Sequence, residues 1–129
     1  FQIAMHEMEV GVGIHGEPGR RRVPLASADE IARELTGAIV ADLGLARGQQ
    51  VILLVNGFGG TPTLELYLMV NAARKQLEAS GVRVARFLTG SYVTSLEMAG
   101  CSITATAVDE ELLALWDAPV HTAALRWGM

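Results

Sequence analysis

Residues 51–88 constrain the fold more than any other part of this sequence. Residues 51–55 form an unbroken aliphatic run that is too short for a helix and apolar on both faces, as a central strand of a sheet must be. A glycine-rich turn at residues 56–60 follows it, and residues 82–88 form a second strand-like run. Because the crossover between two such strands is right-handed, the strands are predicted to lie parallel in one sheet.

The segment between these two strands predicts a helix. Thr61 is suited to cap its first turn, and Pro62 fits the first helical position, where no backbone donor is needed. Apolar side chains recur every three or four residues, at Leu66, Val70, Ala73 and Leu77. The segment ends at Gly81 and completes a strand–helix–strand unit.

A second helix is predicted over residues 28–43. Ser27 and Glu30 have the spacing of a capping box, and Gly44 stands where a C-terminal cap is expected. Apolar side chains recur every four residues along this segment, at Ile31, Leu35, Ile39 and Leu43. This period is typical of an amphipathic helix with one buried face.

The remaining segments complete an α/β pattern. Strands are predicted over residues 8–14 and 101–108, a loop or short helix over residues 90–100, and a short helix from its cap Asp109 through Trp116. The direction of the 101–108 strand stays open. We therefore predict a single α/β domain over residues 1–129, a layered sandwich in which a small mixed, partly parallel sheet is flanked by helices.

Charge and composition exclude several classes of function. Fourteen acidic and ten basic residues give a net charge of −4, and the one basic cluster, residues 20–22, is interpreted as a solvated turn, so nucleic acid is not an expected partner. Cys101 is the single cysteine, which excludes an internal disulfide and a cysteine zinc cluster and indicates a small buried side chain. No apolar stretch approaches the roughly 20 residues that cross a bilayer, so we expect a cytoplasmic protein without membrane contact. A chain that begins at Phe1 and enters a strand almost at once is expected to be part of a longer protein.

His15 is the first candidate for chemistry. Four glycines and one proline lie within four residues of it, so a tight turn can present its imidazole to a ligand. A neutral imidazole can serve there as a base, a metal ligand or a nucleophile. Glu17 is placed either to orient this ring or to face solvent. His6 and His121 are too dispersed for a metal motif and are interpreted as a surface residue and a packing residue.

Two glycine patterns raise the question of nucleotide binding. Residues 11–16 match G-x-G-x-x-G, but Pro18, the arginines and Pro24 separate the match from any helix that could receive a pyrophosphate, so a dinucleotide site is rejected. Residues 56–61 lie between a strand and a helix, where an anion can bind, yet they lack the lysine of a P-loop. A tight turn that requires glycine is the favoured interpretation of this second pattern, with phosphate binding as the alternative.

Several segments together resemble the dihydroxyacetone kinases, and in particular the dihydroxyacetone-binding subunit of the bacterial phosphotransferase-dependent form. Residues 7–19, EMEVGVGIHGEPG, resemble the substrate-histidine loop of that family, and residues 55–62 with 65–67 resemble its second glycine loop. Residues 92–100 and 113–122 extend the similarity. The resemblance covers essentially the whole chain, but only the C-terminal domain of such a subunit, which follows a larger N-terminal domain.

The resemblance implies a definite role for His15. In the family this histidine adds through a ring nitrogen to the ketone carbon of dihydroxyacetone and holds it as a covalent hemiaminal, with Gly16 beside it in the substrate site. The acid/base aspartate is implied to lie in the N-terminal domain. ADP or ATP with magnesium is implied on a partner nucleotide-binding kinase subunit or an appended domain, so this chain is expected to bind no cofactor or metal and to be inactive alone. A homodimer, with phosphate supplied by the phosphotransferase system, is implied as well.

Other functions remain open at this point. The family resemblance extends to regulators that bind dihydroxyacetone without phosphorylating it, and to kinases for another short sugar such as erythrulose. ATP-dependent kinases are the alternative to the phosphotransferase-dependent form. The remaining alternative is an α/β interaction domain that carries out no reaction, in which the glycine loop is required only by the fold.

Overall fold

The computed structural model describes residues 3–13 and 17–128, in which helices and strands follow one another in α/β order. The elements are β1 (Glu7–Val10), β2 (Arg21–Pro24), α1 (Ala28–Leu43), β3 (Gln50–Gly57), α2 (Thr63–Ala79), β4 (Arg83–Gly90), β5 (Cys101–Val108), α3 (Glu110–Asp117), β6 (Val120–His121) and β7 (Arg126–Trp127). The predicted α/β class with a mixed, partly parallel sheet flanked by helices is confirmed.

The central sheet has the strand order β4-β3-β5. β4 is parallel to β3, as the crossover rule predicts, with Gln50 opposite Arg83 and Asn56 opposite Gly90. β5 is antiparallel to β3, with Gly57 opposite Cys101. The ends of β3 and β4 and the beginning of β5 therefore lie at one edge of the sheet.

The hydrophobic core lies between the sheet and the pair α1 and α2. Alternate residues of β3 point into it, and Val51, Leu53 and Val55 are fully buried. From α2 the predicted apolar face is confirmed, since Leu66, Val70, Ala73 and Leu77 are all buried. Phe87 of β4 contacts Tyr67 of α2, so its neighbour Arg86 projects from the opposite face, where it pairs with Asp117 at the end of α3.

Helix α1 has the predicted bounds and caps, but its buried face coincides only in part with the predicted one. Ser27 accepts from the Glu30 backbone and donates its own N–H to the Glu30 carboxylate, and Gly44 is left-handed. The residues that pack into the core are Ala28, Ile31, Ala32, Thr36 and Val40. Of the predicted series, Ile31 packs against the core whereas Leu43 is 49% exposed, so the series identified the helix but only part of its core face.

The start of α2 differs from the prediction. The helix begins at Thr63 with Pro62 at the N-cap, and no side chain caps it. The Thr61 hydroxyl is bonded to Gly100 on another loop and is therefore not available to the helix. By contrast, Asp109 caps α3 as predicted, through the N–H of Leu112 at 2.9 Å.

Two residues of the arginine cluster belong to a strand, so their interpretation as a turn was wrong, although all three arginines are exposed as predicted. Arg21 and Arg22 lie in β2, which pairs antiparallel with β1 in a hairpin. Arg21 forms an ion pair with Glu34 of α1, and Arg22 forms one with Glu9 of β1. The carboxylates supplied by these neighbours let the cationic side chains line an ordered strand.

The C-terminal residues form a small hairpin of β6 and β7. Trp127 meets Trp116 of α3 edge to face, at 5.0 Å between ring centroids. His121 is exposed, so the prediction of a packing histidine was wrong, whereas His6 lies at the surface as predicted. Within residues 3–13 and 17–128, no helix is long and apolar enough to span a membrane.

Candidate functional site

Two loops meet at the edge of the sheet where β3 and β4 end and β5 begins. One is the β3–α2 loop, residues 58–62, and the other is the β4–β5 loop, residues 91–100. The predicted alternatives for the second segment were a loop or a short helix, and it is a loop without a helical turn. Side chains and backbone groups of both loops bind one another across this edge.

Asn56 anchors the beginning of the β4–β5 loop. Its side chain is only 3% exposed, at the end of the strand that forms the core. Its Oδ1 accepts from the N–H groups of Tyr92 at 2.8 Å and Val93 at 2.9 Å, and its Nδ2 donates to the Val93 carbonyl at 2.7 Å. All the hydrogen bonds are made to backbone, so the amide fixes the loop's path whatever side chains it carries.

Two hydroxyl groups anchor the rest of the β4–β5 loop. Thr61 Oγ1 donates to the Gly100 carbonyl at 2.9 Å and accepts from the Gly100 N–H at 2.8 Å. Ser95 Oγ donates to the Phe58 carbonyl at 2.9 Å and accepts from the Met98 N–H at 3.1 Å. With Asn56, these residues tie the β4–β5 loop at its beginning, middle and end.

The glycines of the β3–α2 loop allow the two backbones to approach. A Cβ at Gly59 would lie 2.6 Å from the Ser95 carbonyl oxygen, and one at Gly60 would lie 2.5 Å from that of Glu97. Gly59 also has a φ of +103°, which favours glycine. The N–H groups of Phe58 and Gly60 donate to carbonyls of the β4–β5 loop and are thus not directed at an anion, which favours the tight-turn interpretation over phosphate binding.

The outer surface of this loop pair carries several exposed apolar side chains beside polar ones. Leu96 is 99% exposed and Val93 is 60% exposed, although the backbone of both residues belongs to the anchored loop. Tyr92 and Met98 are exposed beside them. The sheet edge therefore presents hydrophobic side chains on a fixed backbone.

The predicted site residues His15 and Gly16 lie outside the described residues, but both ends of their loop are described. Residues 11–20 connect β1 to β2, and the N–H of Arg20 donates to the Val10 carbonyl at 2.8 Å. The N–H of Gly13 donates to the Glu17 carbonyl at 3.2 Å. Glu17 also has its side chain against Gly13, where a Cβ would collide with it.

The same hairpin supports the rejection of a dinucleotide site. After the glycine pattern, the chain enters β2 and reaches its first helix only at Ala28. A helix N-terminus therefore does not follow the glycines, as the dinucleotide fingerprint requires. No group of three or more possible metal-ligating side chains occurs among residues 3–13 and 17–128.

Cys101 and Asp117 have altered pKa values with structural causes. Burial raises the pKa of the Cys101 thiol, which agrees with a packed rather than a reactive cysteine. Hydrogen bonds from Arg86 lower the pKa of Asp117, through contacts of 2.8 Å from Nε to Oδ1 and 2.6 Å from Nη2 to Oδ2. The Asp117 carboxylate thus ties α3 to β4.

Sequence reasoning missed the three anchoring residues Asn56, Thr61 and Ser95. The signal for Asn56 was its position, because a polar residue directly after an aliphatic strand needs a hydrogen-bonding partner when it is buried. The partners of Asn56 and Thr61 lie 36–39 residues further along the chain, where local sequence patterns do not reach.

Comparison with known proteins agrees on one family. Residues 1–124 match the model of the Dak1 domain. The chain is 41% identical over 152 residues to the dihydroxyacetone-binding subunit of the PEP-dependent dihydroxyacetone kinase of Escherichia coli (strain K12), covering 99% of this chain and 43% of that subunit. It is 41% identical over 129 residues to the triokinase/FMN cyclase of Homo sapiens, covering 96% of this chain and 22% of that protein.

A solved structure extends the similarity to three dimensions. The dihydroxyacetone kinase operon co-activator Dha-DhaQ superposes with a TM-score of 0.83 and 33% identity, covering 92% of this chain and 38% of that one. The chain spans less than half the length of each of these relatives. From the match over residues 1–124, the chain belongs to the Dak1 domain family, the family of the dihydroxyacetone kinases.

Proposed function

We propose that this chain is the substrate-tethering part of a dihydroxyacetone kinase and that His15 is the residue that captures the ketone. The observation that carries the proposal is the 41% identity to a dihydroxyacetone-binding subunit across 99% of the chain. The hairpin geometry supports it, because the loop that contains His15 has hydrogen bonds at both of its described ends.

The tethering step needs only the imidazole and the substrate. The lone pair of a neutral ring nitrogen attacks the carbonyl carbon of dihydroxyacetone, and a carbon–nitrogen bond forms. The π pair of the carbonyl moves to its oxygen, which takes up a proton, while the other ring nitrogen releases one. No group leaves, and the product is a neutral hemiaminal. Glycerol has no carbonyl, so the step selects ketoses and aldoses over polyols.

Phosphoryl transfer requires groups beyond this chain. Tethering holds a terminal hydroxyl of the substrate in place, and alignment of this kind is a large part of phosphoryl-transfer catalysis. The chain serves as the C-terminal domain of a homodimeric subunit, and a preceding N-terminal domain supplies the acid/base aspartate. ADP or ATP and magnesium bind to a partner subunit or appended domain. The 129-residue chain alone is expected to be inactive.

The test of this function is detection of the adduct in the intact protein. Dihydroxyacetone labelled with ¹³C at the carbonyl carbon should give a hemiaminal resonance, with coupling to a ring nitrogen of ¹⁵N-labelled histidine. His15→Asn should abolish that resonance while the fold is unchanged. An unmodified imidazole in the substrate-saturated protein would refute the tether.

A second candidate function is supported by one comparison. The similarity to the operon co-activator, at a TM-score of 0.83, favours a dihydroxyacetone-binding regulator as the alternative. Both functions use the same tether, so the adduct does not distinguish them. Incubation of the intact protein with a nucleotide-binding kinase subunit and dihydroxyacetone distinguishes the two functions. A kinase produces dihydroxyacetone phosphate, whereas a regulator leaves the ketone unphosphorylated.

A further inference from the structure

We infer that Glu9 is a positioning residue that fixes the loop carrying His15 and thereby sets the affinity for the ketone. This inference rests on the proposed function, since it concerns how the same histidine is presented. Glu9 lies on β1, opposite Arg22 of β2, two residues before the loop begins. Its side chain is 8% exposed, which is unusual for a glutamate on a two-stranded hairpin.

The Glu9 carboxylate reaches from the strand into the far end of the loop. Its Oε1 accepts from the N–H of Gly19 at 2.7 Å, and its Oε2 accepts from Nη2 of Arg22 at 3.3 Å. The first bond is short and involves an ionised acceptor, so it is stronger than a bond between neutral groups. The second bond balances the charge of the carboxylate and orients it towards the loop.

The loop backbone passes directly over this side chain. A Cβ at Gly19 would lie 2.5 Å from Glu9 Cγ and 2.8 Å from the Val10 carbonyl oxygen. The glycine is required here by the space that Glu9 occupies, because its φ is not in the left-handed region. The close fit therefore excludes a side chain at position 19 unless Glu9 or the backbone moves.

Three contacts hold the described ends of the loop between β1 and β2. The Arg20–Val10 bond closes the hairpin, the Glu9 carboxylate holds Gly19, and the Gly13–Glu17 bond joins the residues on either side of positions 14–16. The first and third are backbone bonds, whereas the second depends on one side chain. Glu9 is therefore a position where a substitution can change the described end of the loop without removing the strand pairing of β1 and β2.

The experiment compares Glu9→Ala, Glu9→Gln and the matched control Glu7→Ala in the intact protein. Glu7 lies on the same strand, and its carboxylate accepts from the Ala4 N–H at an exposed site away from the loop. Affinity is measured as the dihydroxyacetone concentration that half-saturates the ¹³C hemiaminal signal, normalised to folded protein. We expect Glu9→Ala to weaken affinity about tenfold or more, because a charge-assisted bond is lost. Glu9→Gln, which keeps an oxygen for Gly19, should recover part of the loss, and Glu7→Ala should match the wild type.

A second readout separates this inference from the proposed function. The Gly19 amide and the His15 ring proton resonances of the free protein should shift in Glu9→Ala and stay in place in Glu7→Ala. If these resonances shift in Glu9→Ala but the wild-type protein forms no hemiaminal with dihydroxyacetone, Glu9 positions the loop and the proposed function is refuted. If the wild type forms the adduct and Glu9→Ala binds equally well, or if the resonances do not move, the inference about Glu9 is refuted.

Discussion

Replacement of Asn56 by alanine should release the β4–β5 loop while the core stays intact. The Asn56 side chain makes three hydrogen bonds, of 2.7, 2.8 and 2.9 Å, to the backbone of Tyr92 and Val93. Alanine keeps the strand and its alternation, since the neighbouring core residue Val55 is unchanged and fully buried. The substitution therefore tests the loop anchor rather than the sheet.

The expected loss follows from the exposure of the two partners. Each hydrogen bond contributes roughly 0.5–1.5 kcal/mol net, so three contribute about 3 kcal/mol if nothing replaces them. Tyr92 and Val93 are 39% and 60% exposed, so water can reach their freed backbone groups and recover part of this. We expect the free energy of unfolding to fall by about 2–3 kcal/mol.

Urea denaturation of the wild type and Asn56→Ala measures this loss. For a typical urea dependence in small proteins, the unfolding midpoint should fall by about 1–2 M. Native-state hydrogen exchange should show faster exchange at the amides of Tyr92 and Val93, with unchanged protection in β3. Thr94→Ala is the control, because its exposed hydroxyl bonds only to the adjacent Ser95 carbonyl, and its cost should stay below about 0.5 kcal/mol. An equally small cost for Asn56→Ala, with unaltered exchange, would show that the amide does not anchor the loop.

Further predictions concern two glycines and the cysteine. Gly59→Ala should destabilise the protein by about 2 kcal/mol or more in urea denaturation, since it combines a φ of +103° with a 2.6 Å contact to the Ser95 oxygen. Gly37→Ala, in α1 with no atom within 4 Å of the new methyl group, should stabilise it by about 0.5–1 kcal/mol, and the reverse order of the two would contradict the close-approach argument. Cys101 should react with iodoacetamide at pH 8 more slowly than an unfolded-chain thiol, because burial raises its pKa and reduces its thiolate fraction, and urea should accelerate the reaction; equal rates in both states would argue against a buried thiol.

The fold was predictable where the signals are local. The aliphatic run in β3, the capping box at Ser27 and the cap at Asp109 each report on neighbouring residues, and each is confirmed. The parallel pairing of β3 and β4 followed from the general handedness of crossovers. Sequence patterns that involve residues close together in the chain therefore locate helices and strands well.

The predictions from sequence were wrong where a residue's role depends on a partner far away in the chain. Thr61 has the residue type of a helix cap, yet its hydroxyl binds Gly100, which lies 39 residues away. In α1, the small residues Ala32 and Thr36 face the core, and they give a weaker hydrophobic signal than the larger aliphatic residues beside them. The arginines of β2 pair with carboxylates of β1 and α1, which a local sequence pattern does not reveal.

The way in which the β4–β5 loop is held has a consequence for sequence change. Asn56 and Thr61 hold the loop through its backbone, so apart from Ser95 its path depends little on the identity of its own outward side chains. Mutations at Val93 or Leu96 can accumulate at low cost to the fold, and different chemical surfaces can be displayed on one unchanged support. The same property makes Leu96 a suitable attachment point for a spectroscopic probe, since a label there would report on its surroundings without disturbing the loop.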